Sequence, residues 1–148
     1  MTSATLPVPE KGTTMSVTKI TPVLFAKEIE PCVDFWVERF AFEKTAEVPE
    51  GDKLGFALLK KGGVELMYQS YASAEKDVKD AAIVELARKG PTFLFVEVDN
   101  LEAAIAATKD APVIVPVRTT FYGSKEIGIQ DPAGHVVTFA QFGAAPNV

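Results

Sequence analysis

Residues 131–142 join a turn to a strand, and an earlier segment repeats this layout. The turn begins Asp-Pro-Ala-Gly, in which proline presets φ, the aspartate can bond the backbone two residues on, and glycine tolerates a positive φ. Val136–Phe142 then runs through β-branched and aromatic residues without a breaker, which predicts a strand. Residues 60–63 form a hairpin-type turn, and residues 64–69 follow it as a strand. Each segment closes a longer series of elements, and the two series match.

The matching series have the order β-α-β-β-β. In the first, strands are predicted at residues 19–27, 42–48, 54–59 and 64–69, and a helix begins at Pro31 and runs to Phe40. In the second, strands are predicted at residues 92–98, 113–121, 125–130 and 136–142, and Asn100 caps a helix at residues 101–108. One such unit leaves a sheet face and an edge uncovered, so two units should pack side by side.

The chain of 148 residues is long enough for one domain with a substantial core. Its predicted parts are a flexible N-terminal tail at residues 1–17, a first module at 18–69, a helical linker at 70–91 and a second module at 92–148. The tail is rich in Thr, Ser and Pro and has no apolar period. The linker is rich in Ala, Glu and Lys, which predicts a linker helix or a helical excursion over a surface at residues 72–88, ended by Gly90 and Pro91.

Composition narrows the range of partners and compartments. The net charge is -5 and there is no Lys/Arg cluster, which argues against binding to nucleic acid. No apolar run approaches the length of a membrane span. The single cysteine, Cys32, rules out an internal disulfide and suits the cytoplasm. Cys32 lies at a helix start with no histidine near it in the sequence, so a buried apolar role fits it better than a nucleophilic one.

The double βαβββ order, together with residues 22–24, 31–36, 93–100 and the 131–135 turn, resembles the vicinal oxygen chelate superfamily. That superfamily includes glyoxalase I, extradiol dioxygenases and bleomycin-resistance proteins, and the character of this chain is nearest to the last. The resemblance covers residues 20–142. It implies an α+β fold in which two βαβββ modules form a cupped mixed sheet around a cleft, with the helices outside. It also implies a homodimer, which the exposed sheet edges of two such modules favour as well.

The metal enzymes of this superfamily take one ligand from each of the first, fourth, fifth and eighth strands, usually His or Gln, Glu, His and Glu. In this sequence those positions hold Thr21, Glu65, Phe93 and Thr138. Only Glu65 keeps a ligand side chain, and one carboxylate binds a divalent ion weakly because such ions need several ligands together. We therefore assign no metal, no cofactor and no catalytic residue. His135, the only histidine, is interpreted as a turn residue that tolerates unusual φ.

Strand alternation predicts the inner face of the cleft, because side chains two residues apart share a face. The residues predicted to face the helices instead are Leu24, Leu66, Tyr68, Leu94, Val96 and Phe139. The residues predicted to bind the ligand are Phe25, Glu65, Met67, Phe93, Phe95, Glu97 and Thr138. This set suits an apolar or aromatic small molecule with a cationic group. A Lys or Arg of the same chain, such as Arg118, is the other means of compensating a buried carboxylate.

Three functions are compatible with these features. The first is a metal-independent protein that binds a small molecule, which the missing metal ligands, the acidic charge and the aromatic cleft favour. The second is a lyase, isomerase or dioxygenase of the superfamily with an atypical divalent-metal site that uses Glu65. The third is a structural or regulatory dimer whose cup is filled by its own side chains. Metal analysis separates the second from the first, and a cup without a cavity would favour the third.

Overall fold

Two four-stranded sheets, each with its own helix, make up the structure, a computed structural model that describes residues 16, 18–77 and 81–143. The predicted tail at residues 1–17 lies almost entirely outside the described residues. The first module and the segment after it contain β1 Val23–Ala26, α1 Glu30–Phe40, β2 Glu43–Glu50, β3 Lys53–Lys61, β4 Val64–Ser70, α2 Tyr71–Asp77 and α3 Ala81–Lys89. The second module contains β5 Phe93–Glu97, α4 Leu101–Ala107, β6 Val113–Thr119, β7 Ser124–Gln130 and β8 Val136–Phe142.

The strand order is the same in both sheets, β1-β4-β3-β2 in the first and β5-β8-β7-β6 in the second. The first and last strands of each module pair in parallel, and the other neighbours are antiparallel. A parallel pair needs a long connection between its strands, which the helix and two further strands of each module supply. The predicted α+β fold with two βαβββ modules is confirmed.

Two prolines mark where the strands shorten or lose their register. Strand β1 is shorter than predicted because Pro22 has no N–H, and only its carbonyl joins the pairing, by accepting a hydrogen bond from Met67 N at 2.9 Å. Pro116 lies in the edge strand β6, between Val115 and Arg118, where the pairing with β7 shifts register. A residue without an N–H is tolerated at such a position because an edge strand has an unpaired side.

One hydrophobic core lies under both sheets, on the side that carries the helices. The residues predicted to face the helices are buried or packed against this core. Helix α1 joins the two modules, because the ring of Phe40 stacks on Phe139 of β8 with 4.9 Å between centroids. Trp36 lies 6.4 Å from the same Phe139 ring. The alternation of side chains along the strands thus decides which face of each sheet is covered.

A buried hydrogen-bond network also connects the modules. Trp36 Nε1 donates to Tyr68 Oη at 2.8 Å, and Tyr68 Oη donates to Asp131 Oδ2 at 2.6 Å. Asp131 Oδ1 accepts from the backbone N–H groups of Ala133 and His135, which forms the turn that the sequence predicts. Burial, and next the negative charge of Asp131, raises the pKa of Tyr68 far above its usual value. Tyr68 is therefore a neutral donor in this network.

The segment between the modules is helical in its described part and contains α2 and α3, with residues 78–80 outside the described residues. Ser70 Oγ accepts from Ser73 N at the start of α2, so a hydroxyl supplies a partner that a free helix end lacks. Tyr71 and Glu75 of α2 both contact Arg88 of α3, through a cation–π interaction at 4.3 Å and an ion pair at 3.7 Å. None of the described helices is long and apolar enough to cross a membrane.

Candidate functional site

Each sheet has a second face that points away from α1, α4 and the core, and this is where the predicted site residues lie. We call these the first cup face, on the β1–β4 sheet, and the second cup face, on the β5–β8 sheet. The first cup face carries Val23, Phe25, Phe56, Leu58, Glu65, Met67 and Gln69. The second cup face carries Phe93, Phe95, Glu97, Arg118, Ser124, Glu126, Thr138, Ala140 and Phe142.

The predicted ligand-binding residues separate into two groups. Phe25, Glu65 and Met67 lie together on the first cup face, and Met67 is directly opposite Val23 of the parallel strand β1. The others, Phe93, Phe95, Glu97 and Thr138, lie on the second cup face, where Phe95 is opposite Thr138. Glu65 and Glu97 are therefore on different sheets, and neither is a hydrogen-bond partner of the other among the described residues. Their assignment to one ligand site stays a prediction.

Glu65 already has a cation beside it. Lys19 Nζ lies 2.5 Å from Glu65 Oε1, although no donor among the described residues meets hydrogen-bond geometry at that oxygen. The Glu65 side chain is only 8% exposed, so this charge is nearly desolvated and the ammonium offsets part of the cost. A lysine of the same chain thus compensates the carboxylate, which is the alternative the sequence left open, with Lys19 in place of Arg118.

The superfamily's divalent metal does not fit the residues present. Of the four ligand positions, Phe93 has no donor, and Thr21 and Thr138 offer neutral hydroxyls that bind divalent ions poorly. The remaining position, Glu65, is paired with Lys19. Within the described ranges, no group of three or more His, Cys, Asp or Glu side chains is placed to hold a metal ion.

The second cup face is aromatic and open. Phe93 and Phe95 lie in β5, an edge strand of its sheet, and they are 72% and 55% exposed, which is high for phenylalanine. The Phe95 ring lies 6.4 Å from Phe142, and Phe142 lies 6.4 Å from Tyr122. Between the strands of Phe95 and Glu126, the small residue Ala140 is fully buried. The open part of this face is therefore the aromatic surface of Phe93 and Phe95, and its neighbours cover Ala140.

A buried carboxylate that the sequence reasoning missed, Glu126, lies on this same face. Glu126 Oε2 accepts from Tyr122 Oη and from Ser124 Oγ, each at 2.8 Å, and Oε1 accepts from Arg118 Nη2 at 3.0 Å. Burial acts to raise the pKa of Glu126, but the three hydrogen bonds and the Arg118 charge outweigh it and hold the pKa below its usual value. The available signal was the position of this acidic residue, in the predicted strand 125–130 and two residues from Gly128 on the same face.

His135 and Cys32 have structural positions. His135 is buried, with Nδ1 accepting from Thr92 N at 2.9 Å and Nε2 lying 2.8 Å from Phe25 O. Since Nδ1 accepts, Nε2 carries the proton, and the ring links β1 to the residue that precedes β5. This is more than the turn role predicted from the sequence. Burial, and next the Asp131 charge, raises the pKa of Cys32 to about 12, so its thiol stays protonated and unreactive.

Comparison with known proteins agrees with this fold. The family model for the Glyoxalase/Bleomycin resistance protein/Dioxygenase superfamily matches residues 18–139. A glyoxalase/bleomycin resistance protein/dioxygenase from Nocardioides is 19% identical, with 93% of this chain and 92% of that one covered and a TM-score of 0.68. Lactoylglutathione lyase from Agrobacterium tumefaciens is 18% identical, with 85% and 95% covered and a TM-score of 0.64.

The bleomycin-binding protein from Streptomyces verticillus, solved with copper(II)-bleomycin, is also similar in structure. It is 23% identical, with 88% of this chain and 99% of that chain covered, and the TM-score is 0.56. At these identities the solved structures support the fold and not a particular activity. No curated protein matches the chain in sequence.

Proposed function

The chain belongs to the glyoxalase/bleomycin resistance protein/dioxygenase superfamily, and on this premise we propose that it binds an apolar or aromatic small molecule on its cup faces without a divalent metal. Members with similar structures include a lyase and a protein that binds bleomycin, so membership alone permits either an enzyme or a binding protein. The proposed compartment is the cytoplasm, because the one thiol is buried and unpaired.

The observation that carries the proposal is the exposure of Phe93 and Phe95 on the second cup face. Exposed aromatic side chains grouped on one surface mark a place where a partner removes them from water. Glu97 lies two residues beyond Phe95 on the same face, is exposed, and has no ion pair among the described residues. Aromatic rings beside a free carboxylate favour a ligand that also carries a cationic group.

The donor set supports metal independence. A divalent ion at Glu65 would have to displace the Lys19 ammonium and would find only hydroxyls and a phenyl ring at the other three positions. The competing function, a superfamily enzyme with an atypical metal site, is favoured by one observation: Glu65 Oε1 is buried and lacks a hydrogen bond among the described residues. A cation other than Lys19 could use that oxygen, so the experiment includes metal.

The proposal predicts that the protein binds the neutral aromatic dye N-phenyl-1-naphthylamine and a cationic aromatic such as ethidium with or without metal. Titrations followed by fluorescence should give the same affinities in EDTA and in excess Zn²⁺ or Mn²⁺. Phe95→Ala should weaken both dyes about tenfold, because the ligand loses apolar contact area. Glu97→Gln should weaken ethidium alone, about threefold, as expected for an exposed charge pair.

The control is Glu85→Gln, which changes an exposed carboxylate on α3 and should leave both affinities unchanged. Tight stoichiometric metal, with dye binding abolished by EDTA, would support the enzyme with a Glu65 site instead. Failure of the wild-type protein to bind either dye would favour the third function, a structural dimer.

We further propose that the protein is a homodimer. The edge strands β2 and β6 are exposed along nearly their whole length, and β6 presents apolar side chains on both of its faces. These are Val113, Ile114, Val115 and Val117, each between 38% and 53% exposed. Exposed apolar edge strands favour association with another chain.

Light scattering at micromolar concentration should give twice the chain mass of 15.9 kDa. The double change Ile114→Lys and Val117→Lys should shift the measured mass toward that of the monomer. A monomeric wild type contradicts this prediction.

A further inference from the structure

We propose that the second cup face also recognises an acidic oxygen group on its ligand through Arg118, and that Glu126 positions the Arg118 guanidinium. This inference rests on the proposed function and adds a second charged contact to it. The ligand class it implies is an aromatic or apolar molecule with a carboxylate, sulfonate or phosphate group. None of the residues predicted from the sequence supplies such a contact.

Sheet register places Arg118 on the same face as the exposed phenylalanines. Arg118 of β6 is opposite Glu126 of β7, Glu126 is opposite Ala140 of β8, and Ala140 is opposite Glu97 of β5. Residues directly opposite each other in a sheet project to the same side. Phe95 shares that side because it lies two residues from Glu97. A row of side chains with Arg118 at one end and Glu97 at the other therefore crosses the second cup face.

The Arg118 guanidinium retains capacity to bind a ligand. Its hydrogen bond among the described residues runs from Nη2 to Glu126 Oε1, and its side chain is 55% exposed. A guanidinium has several N–H donors in a planar fork, so the other donors are left for water or a ligand. That fork matches the geometry of carboxylate, sulfonate and phosphate oxygens and can bind them with two parallel hydrogen bonds.

Glu126 is not itself available to a ligand. Its side chain is 4% exposed, and its two oxygens accept from Tyr122, Ser124 and Arg118. Thr120 Oγ1 lies 2.8 Å from Ser124 Oγ, so a further hydrogen bond fixes the Ser124 hydroxyl that contacts the Glu126 carboxylate. A carboxylate fixed by two hydroxyls and turned toward Arg118 restricts where the guanidinium lies. Its role in binding is therefore to position Arg118.

The aromatic rings of the second cup face extend to the Arg118–Glu126 pair. Rings of Phe95, Phe142 and Tyr122 follow one another with 6.4 Å between centroids at each step, and Tyr122 donates to Glu126. A ligand whose flat part rests on Phe95 and Phe142 would bring a substituent toward Arg118. The guanidinium supplies positive charge at that end, and Glu97 supplies negative charge at the other.

Two dyes with the same aromatic body test the inference. 1-Anilinonaphthalene-8-sulfonate carries a sulfonate, whereas N-phenyl-1-naphthylamine lacks it, so the ratio of their affinities isolates the acidic contact. The wild type should bind the sulfonate dye at least about fivefold more tightly than the neutral dye, as expected for a charge-assisted hydrogen bond. Arg118→Gln should abolish that preference and change the affinity for the neutral dye by less than about twofold. The control is Lys125→Gln, an exposed cation beside Glu126 on the opposite side of β7, which should leave the ratio unchanged.

Glu126→Gln tests positioning. Gln keeps the shape of the side chain but not its charge. Loss of the charge alone would strengthen sulfonate binding, so if Glu126 positions Arg118 the sulfonate preference should fall while the neutral dye still binds, and a rise in the preference would overturn the positioning role. A merely structural effect would weaken both dyes alike and leave their ratio unchanged, which would overturn the positioning role. A sulfonate preference that survives in Arg118→Gln, or equal affinities in the wild type, overturns the inference and leaves the proposed function intact. Absence of binding of either dye to the wild type overturns both.

Discussion

Replacing Asp131 with alanine should lower the free energy of unfolding by about 3 kcal/mol or more. The carboxylate is 3% exposed and accepts from Tyr68 Oη and from two backbone N–H groups of the following turn. Alanine would leave these donors without the carboxylate, and Tyr68, at 0% exposure, has no water to replace it. The loss should be large because this network joins α1, β4 and the turn before β8.

The measurement is urea unfolding followed by the fluorescence of Trp36, the only tryptophan and itself a donor in the network. Tyr68→Phe should cost less, about 1.5 kcal/mol, since it removes one hydroxyl and leaves the turn intact. A double-mutant cycle of the two changes should show coupling, because both remove the same hydrogen bond. Asp52→Ala, in an exposed turn, is the control and should stay within about 0.5 kcal/mol of the wild type. An equal effect of Asp131→Ala and Asp52→Ala would contradict the structural role of the network.

Phe139→Ala should destabilise the protein by about 4 kcal/mol, whereas Phe93→Ala should change its stability by less than about 0.5 kcal/mol. Both positions are phenylalanines in the second sheet, but Phe139 is fully buried against Phe40 and Trp36, and Phe93 is 72% exposed. Removing the Phe139 ring leaves a cavity in the core that joins the modules. Removing the Phe93 ring creates no cavity and only reduces the apolar surface exposed to water.

The same pair of variants distinguishes stability from binding. Phe93→Ala should unfold at the wild-type urea midpoint yet bind N-phenyl-1-naphthylamine more weakly. If Phe93→Ala were as destabilising as Phe139→Ala, its ring would be part of a core, and the second cup face would not be an open binding surface. Circular dichroism at increasing urea concentration, with dye titration on the folded variants, provides both readouts.

Local chemistry in the sequence was sufficient for the order of elements. Pro31 at the helix start and the run to Phe40 predicted α1, whose observed bounds are Glu30–Phe40. The prediction for β8, Val136–Phe142, agrees with the observed strand. Asn100 caps α4 by accepting from Ala103 N, as predicted. These features depend on residues a few positions apart, and the two-residue period of strands likewise assigned Phe139 to the core and Phe95 to the opposite face.

Only the tertiary structure decided which charges meet. Glu65 pairs with Lys19, 46 positions before it in the chain, and His135 contacts the carbonyl of Phe25 across a separation of 110 residues. Glu126 pairs with Arg118 because a register shift in β6 places the two residues opposite each other. Residue type and spacing do not predict such pairings, since each depends on how strands align and how modules pack. The fold could therefore be predicted from periodicity, whereas the polar partners that shape the candidate site required the positions of side chains distant in sequence.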